Sequence, residues 1–201
     1  MRLLLVFLAL SLSLPLSAAP VPKVEPGDWK AVLKDREFHF DREHMGADNS
    51  AAAARKAGLA AEFTLNPSDP SHGEFTFARK DGPKVTVPGH RFTPAVVRGD
   101  ALYVADYSTI SSGCTIVAYN LTTGKKAWAK PLEGLGPVSH SKYRNYVAMS
   151  VEEHPSAKGD FALVISGWEA AGSYIEVIDL GTGKQLANKK FDFDAAGLPR
   201  P

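Results

Sequence analysis

The chain has 201 residues, with 23 lysines and arginines against 22 aspartates and glutamates, 44% hydrophobic and 9% aromatic residues, 17 glycines, 14 prolines and one cysteine. That is ordinary globular composition, and it excludes collagen, a coiled coil, a disulfide scaffold and wholesale disorder. The two signs of charge balance once Arg2 leaves with a targeting segment, so net charge gives no reason to expect nucleic acid or an anionic membrane as partner.

Met1-Arg2 is followed by an apolar run over residues 3–14 and a small-residue exit, Pro15-Leu16-Ser17-Ala18-Ala19-Pro20. A charge, an apolar stretch and small residues, in that order, make a secretory signal peptide. The run is shorter than the roughly 18–20 residues a helix needs to cross a bilayer. We therefore expect a signal peptide over residues 1–18, cleaved after Ala18 or Ala19, and a secreted or periplasmic protein with no membrane span. Cys114 is the only thiol, so an internal disulfide is excluded and stability must come from a core. With neither His nor base beside it in sequence, Cys114 reads as a small buried hydrophobe.

Residues 19–28, with Pro20, Pro22, Pro26 and Gly27, read as an extended leader ahead of a single domain over residues 29–194 and a tail at 195–201. Asp48-Asn49-Ser50 offers N-cap oxygens to one short helix over residues 51–57, stopped near Gly58. The rest reads as β. Strands are expected at 62–65, 74–78 and 84–87, with turns at 66–70 and 80–83.

The second half repeats itself. Residues 99–106 (GDALYVAD) are echoed by 159–166 (GDFALVIS), and residues 115–125 (TIVAYNLTTGK) by 174–184 (YIEVIDLGTGK), offsets of 60 and 59 residues. Self-similarity of a strand-rich unit at a fixed period points to propellers or β arrays. Each unit reads as a four-stranded meander, with strands of the second expected at 145–151, 161–166, 174–180 and 184–193. In the repeated turns Asn120 and Asp179 can bond their own backbone, and Gly124 and Gly183 supply positive φ.

The segment from Ala118 through Asn120, Thr123 and Gly124 to Trp128 resembles the repeat of the quinoprotein (pyrroloquinoline quinone) β-propeller superfamily, Ala-x-Asp-x-x-Thr-Gly-x-x-x-Trp. The resemblance covers about residues 90–193. Residues 134–145 also resemble a segment of small exported bacterial proteins of that superfamily with no assigned activity. The resemblance implies blade-like sheets and a tryptophan, Trp128, buried against the next sheet. In the second repeat Ala187 stands where Trp128 stands, so that unit reads as the terminal one and Ala187 is expected to face solvent or a partner chain. A closed ring of six to eight blades of ~40–50 residues needs more chain than this. The expected fold is thus mainly β: two four-stranded antiparallel meanders plus a partial third, as a propeller-like sandwich or open barrel.

No cofactor is expected. The quinone sites of the superfamily's dehydrogenases imply a large ring, adjacent cysteines and acidic calcium ligands, which one cysteine and two repeats do not supply. The six histidines are the only acid–base or metal set. His39 and His44 are five apart, suiting neither a strand nor a helix face, and His39 with Asp41 reads as solvated alternation on a strand. His90 and His140 each read as opening the first strand of a repeat, so that His90, His140, Tyr143, Arg144 and Asn145 are the candidate ligand pocket, with hairpin capping as the plain alternative. The lysines at 125, 126 and 130 and at 184, 189 and 190 read as solvated, edge-protecting faces. No Gly-x-Ser-x-Gly, phosphate-loop or His-Glu-x-x-His pattern occurs. The function expected is a non-catalytic module binding an exported protein or envelope component through loops and sheet edges, which also permit a homodimer. The alternative is a small enzyme or metal-binding protein built on His90 and His140.

Overall fold

A computed structural model describes residues 25–106, 114–133, 146–169 and 172–191. The expected signal segment at 1–18, most of the expected leader and the tail lie outside the described residues, as do His140, Tyr143, Arg144 and Asn145.

The protein is mainly β. β1 (Ala60–Asn66), β2 (Asp69–Ala78) and β3 (Lys84–His90) form a three-stranded N-terminal sheet. β4 (Ala95–Arg98), β5 (Ala101–Asp106), β6 (Thr115–Asn120) and β7 (Lys126–Pro131) form a middle sheet in chain order. β8 (Tyr146–Glu153), β9 (Phe161–Glu169), β10 (Gly172–Asp179) and β11 (Gln185–Phe191) form the C-terminal sheet, also a simple meander. All pairings are antiparallel.

The sheets are layered face to face, because alternate residues of the middle sheet are apolar in both directions. Leu102 and Val104 of β5 join Phe75, Phe77, Val85 and Val87 of the N-terminal sheet in one core. Their neighbours Tyr103 and Ala105 point the other way, joining Ile116, Met149, Leu163 and Ile165 in a second core. The two ends of the stack are finished differently. On the N-terminal sheet the outward positions are polar, including Glu62, Thr64, Glu74 and Thr86, all exposed. On the C-terminal sheet the outward positions Ala162, Val164, Ile175, Val177 and Ala187 are buried beneath Trp29 and Leu33.

Those two residues belong to α1 (Trp29–Lys34), a helix absent from the reading of the sequence. Asp28 caps it, accepting from the N–H of Lys30 and of Ala31, and its single i,i+4 apolar pair faces the sheet. Ala187 is therefore not open to solvent or a partner chain. It is 5% exposed, and its small side chain lets α1 approach.

The second helix, α2 (Ala47–Lys56), begins earlier than expected, at Gly46 (φ +92°), with no side-chain cap. Asp48, Asn49 and Ser50 lie within it. Ser50 Oγ instead donates to Gly46 O and accepts from Ala95 N–H, tying the helix to β4, while Ala47, Ala51 and Ala54 enter the first core.

The sequence repeat is a repeat in space. Asn120 Oδ1 accepts from the N–H groups of Thr122 and Thr123 at 3.0 and 2.8 Å. Asp179 Oδ1 accepts from Gly181 and Thr182 at 3.1 and 2.8 Å. Gly124 and Gly183 close the two turns at φ +70° and +72°. A register shift sits between Ala118 and Tyr119 in one hairpin and between Val177 and Ile178 in the other.

Trp128 joins the repeats, though it is half-buried rather than sealed. Its Nε1–H donates to Leu180 O at 3.1 Å, the same carbonyl that accepts from the Tyr103 hydroxyl at 3.1 Å. A Cβ on Gly183 would stand 2.7 Å from the Trp128 ring, so that turn is clamped beneath it.

Trp128→Ala is expected to cost about 2–3 kcal/mol, below the 3–5 typical of a fully buried tryptophan, and Trp128→Phe about 1 for the lost hydrogen bond. Urea unfolding of both variants measures the difference. Gly167 sits under the Tyr174 ring, where a Cβ would lie 2.0 Å from Cζ. Gly167→Val should destabilise by about 3 kcal/mol or more through overpacking, while Thr86→Val on the open face should stay within about 0.5.

Candidate functional site

His90 lies at a junction, but it ends β3 and does not open the middle sheet, whose first strand is β4. The reason is the pairing of β3 with β2, which continues through Gly73↔Gly89 to His72↔His90. There the imidazole does local work. His90 N–H donates to Thr93 Oγ1 at 2.8 Å, Thr93 N–H to His90 O at 2.7 Å, and Phe92 N–H to His90 Nδ1 at 3.2 Å. With Nδ1 accepting, the proton of the neutral ring is on Nε2.

Around His90 the aromatic rings form a path between sheets. Its ring is 5.3 Å from His72 and 5.2 Å from Phe92, and Phe92 stands edge-on to Tyr146 of β8 at 5.2 Å. Arg91 lies 4.6 Å from the Phe92 centroid. The chain thus re-enters the described residues, at Tyr146, two ring contacts from His90. His140, Tyr143, Arg144 and Asn145, the remainder of the expected pocket, lie outside them.

Two Asp–His pairs escaped the sequence reading. Asp41 caps a 3₁₀ turn (Arg42–His44) and holds His44 Nδ1 at 2.6 Å, and Asp69 holds His72 Nδ1 at 2.6 Å. Asp41 does not lie on a strand face with His39. The signal was Asp-x-x-His, present twice. A carboxylate on Nδ1 orients the ring and leaves Nε2 as the ligand-facing nitrogen. The N–H of Glu43 and then His44 hold the Asp41 carboxyl below its usual value. Among the described residues no group of three or more His, Cys, Asp or Glu side chains is placed to hold a metal ion.

Two other groups are sealed in. Burial pushes the Cys114 thiol well above its ordinary value, so it packs and does not attack. Glu176 is fully buried and accepts from Glu133 N–H at 2.9 Å.

Two concave surfaces among the described residues adjoin strand edges. One, of about 370 Å³, runs along β4 and β8 under α2, lined by Glu43, His44, Asn49, Val97 and Ser150 among others. A second, of about 500 Å³, runs between α1 and β11, with Lys30, Leu33, Lys34, Gln185, Ala187 and Lys189 on its walls. Lys189 is not a freely solvated lysine there: its Nζ donates to Lys34 O and Arg36 O, both at 2.8 Å.

Next to these bonds Arg36 grips Glu152 with two hydrogen bonds of 2.8 and 2.9 Å, and Ser150 Oγ donates to the same carboxylate.

No protein family, no curated protein and no solved structure matches the chain. Among the described residues no helix is long and apolar enough to cross a membrane.

Burial acts to raise the Glu152 carboxyl, but the hydrogen bonds and charge of Arg36, with Ser150, outweigh it and hold the group below its ordinary value. A depressed carboxyl stabilises fully above its unfolded value and loses that contribution as pH falls through the folded one. Glu152→Gln should cost on the order of 1 kcal/mol near neutral pH. Its urea midpoint should approach that of the wild type as the pH is lowered through and below the ordinary carboxylate range.

Proposed function

We propose that this chain is an exported, non-catalytic β-repeat module, related in architecture to quinoprotein repeats, that binds a protein or envelope component through its strand edges and loops. The observation that carries this reading is the disposition of β7 and β11. Each is the last strand of a repeat and pairs on one side only, with no strand on its outer side among the described residues. The apolar faces of the repeats are meanwhile taken up by the cores and α1. Unpaired strand edges are templates for recognition by added strands. The charge, apolar run and small-residue exit of residues 1–19 support export, and the paired Asn120 and Asp179 turns support the superfamily resemblance.

The mature protein recovered from the exported fraction should have an intact mass lacking residues 1–18 or 1–19, and a retained Met1 would end the export reading. Photo-crosslinking residues placed at Lys126 and Asn188 should give one discrete adduct in the native compartment, while the same probe at Thr86, on the polar outer face, should give none. Equal labelling from Thr86, or no adduct from either edge, counts against the module.

A second reading, a small enzyme or metal-binding protein using His90 and His140, is supported by the ring path from His90 through Phe92 to Tyr146. Stoichiometric metal in protein purified without chelator, lost in His90→Asn, would place it first.

A further inference from the structure

Resting on the binding-module reading, we infer that the groove between α1 and β11 takes an extended, acidic segment of a partner protein, added as a fifth strand to the C-terminal sheet. β11 is an edge strand of seven residues, hydrogen-bonded to β10 from Ser173↔Phe191 to Ile178↔Gln185. In an antiparallel ladder alternate residues direct their N–H and C=O groups away from the existing partner. Five consecutive residues of this strand, 185–189, line the groove together with α1, which brings its free edge within reach of a chain lying there. α1 stands alongside as a wall, so the incoming chain would lie between a strand edge and a helix, with main-chain bonds on one side and side-chain contacts on the other.

Charge selects the occupant. Lys30 and Lys34, one helical turn apart, and Lys189 line the groove, and no carboxylate does. Lys30 and Lys34 have no ion-pair partner among the described residues. This is a local concentration in a chain with 23 basic and 22 acidic residues. Asp28 and Asp35 cap the two ends of α1, outside the lining. A second copy of β11 would bring two more lysines and no carboxylate to this basic groove, whereas a strand carrying glutamate or aspartate at alternate positions complements it. The other outer edge, β7, is less suited, since its Lys130 is already paired with Glu133.

The groove is also preformed. Trp29 and Leu33 anchor α1 in the third core. Lys189 bonds the carbonyl of the helix's last residue and that of Arg36 just beyond it, Arg36 holds Glu152, and Gly27 N–H donates to Asp160 at 2.9 Å. Walls fixed before the ligand arrives spare the ordering cost that would otherwise be taken from its affinity.

The test uses the mature full chain and a fluorescein-labelled decapeptide of alternating glutamate and valine, with a lysine–valine peptide and an N-methylated glutamate–valine peptide as comparisons. Anisotropy should show saturable binding of the glutamate peptide, weakened by salt, and at least about tenfold weaker binding of the other two. Bound peptide should slow amide exchange within residues 185–191. Lys30→Glu with Lys34→Glu should reduce affinity about tenfold or more, with an unchanged urea midpoint as the check that α1 is still docked. The inference is overturned by equal binding of the acidic and basic peptides, by no binding of the acidic one, or by indifference to the charge reversal. A dimer with residues 185–191 already protected also overturns it. Protection over residues 126–131 instead would remove the groove and leave the module reading standing, whereas that reading falls on its own crosslinking result.

Discussion

A strand that is buried on both faces has nowhere to put a polar side chain, and β5, at the centre of the stack, imposes this on everything around it. β5 reads Ala101-Leu102-Tyr103-Val104-Ala105 because odd and even positions enter different cores. Its one polar tip, the Tyr103 hydroxyl, is answered across the interface by Leu180 O, which also receives Trp128 Nε1–H. Hydrogen-bonding capacity is used up laterally, strand to strand, until the edges are reached. With β5 closed on both faces, unpaired backbone groups are left to the outermost strands.

The stack must still end somewhere, and the two ends show two solutions. The N-terminal sheet ends on water, its outward residues alternating as Glu62 and Thr64 or Glu74 and Thr76 against inward Phe75 and Phe77. The C-terminal sheet keeps an apolar outward face and borrows a helix from the start of the chain. The exchange of Trp128 for Ala187 at matching positions follows. Where another β-turn must be gripped, a broad ring with an N–H is needed; where a helix must come close, a methyl group is.

Features carried by local chemistry were legible in the sequence. The Asn120 and Asp179 turns and their glycines are written in short range, and duplication exposes them twice. What escaped depends on distant partners. α1 offers one i,i+4 pair, Trp29 and Leu33, and six residues are too few for periodicity to declare a helix that exists because a sheet receives it. The strand expected at 84–87 runs on through Pro88 and Gly89 to His90, since an edge strand tolerates a residue without an N–H. That shift moved His90 from the start of one unit to the end of another. The candidate histidine pocket was read from residue type, while Asp41 and Asp69, which orient two of the imidazoles, are visible only when turn geometry is added to spacing.

The placement of α1 has a consequence for how the chain reaches this fold. Residues 29–34 are synthesised long before β11, yet they are seated on it, and the bond from Lys189 to Lys34 spans 155 positions. Such a contact is among the most expensive in loop entropy and the last to form as the chain emerges. Until the final hairpin closes, Ala162, Val164, Ile175 and Val177 have no cover, and Trp29 has no seat. The beginning of the protein therefore acts as a latch on its end, making completion of the last sheet the event that commits the whole stack and hides its most adhesive surface.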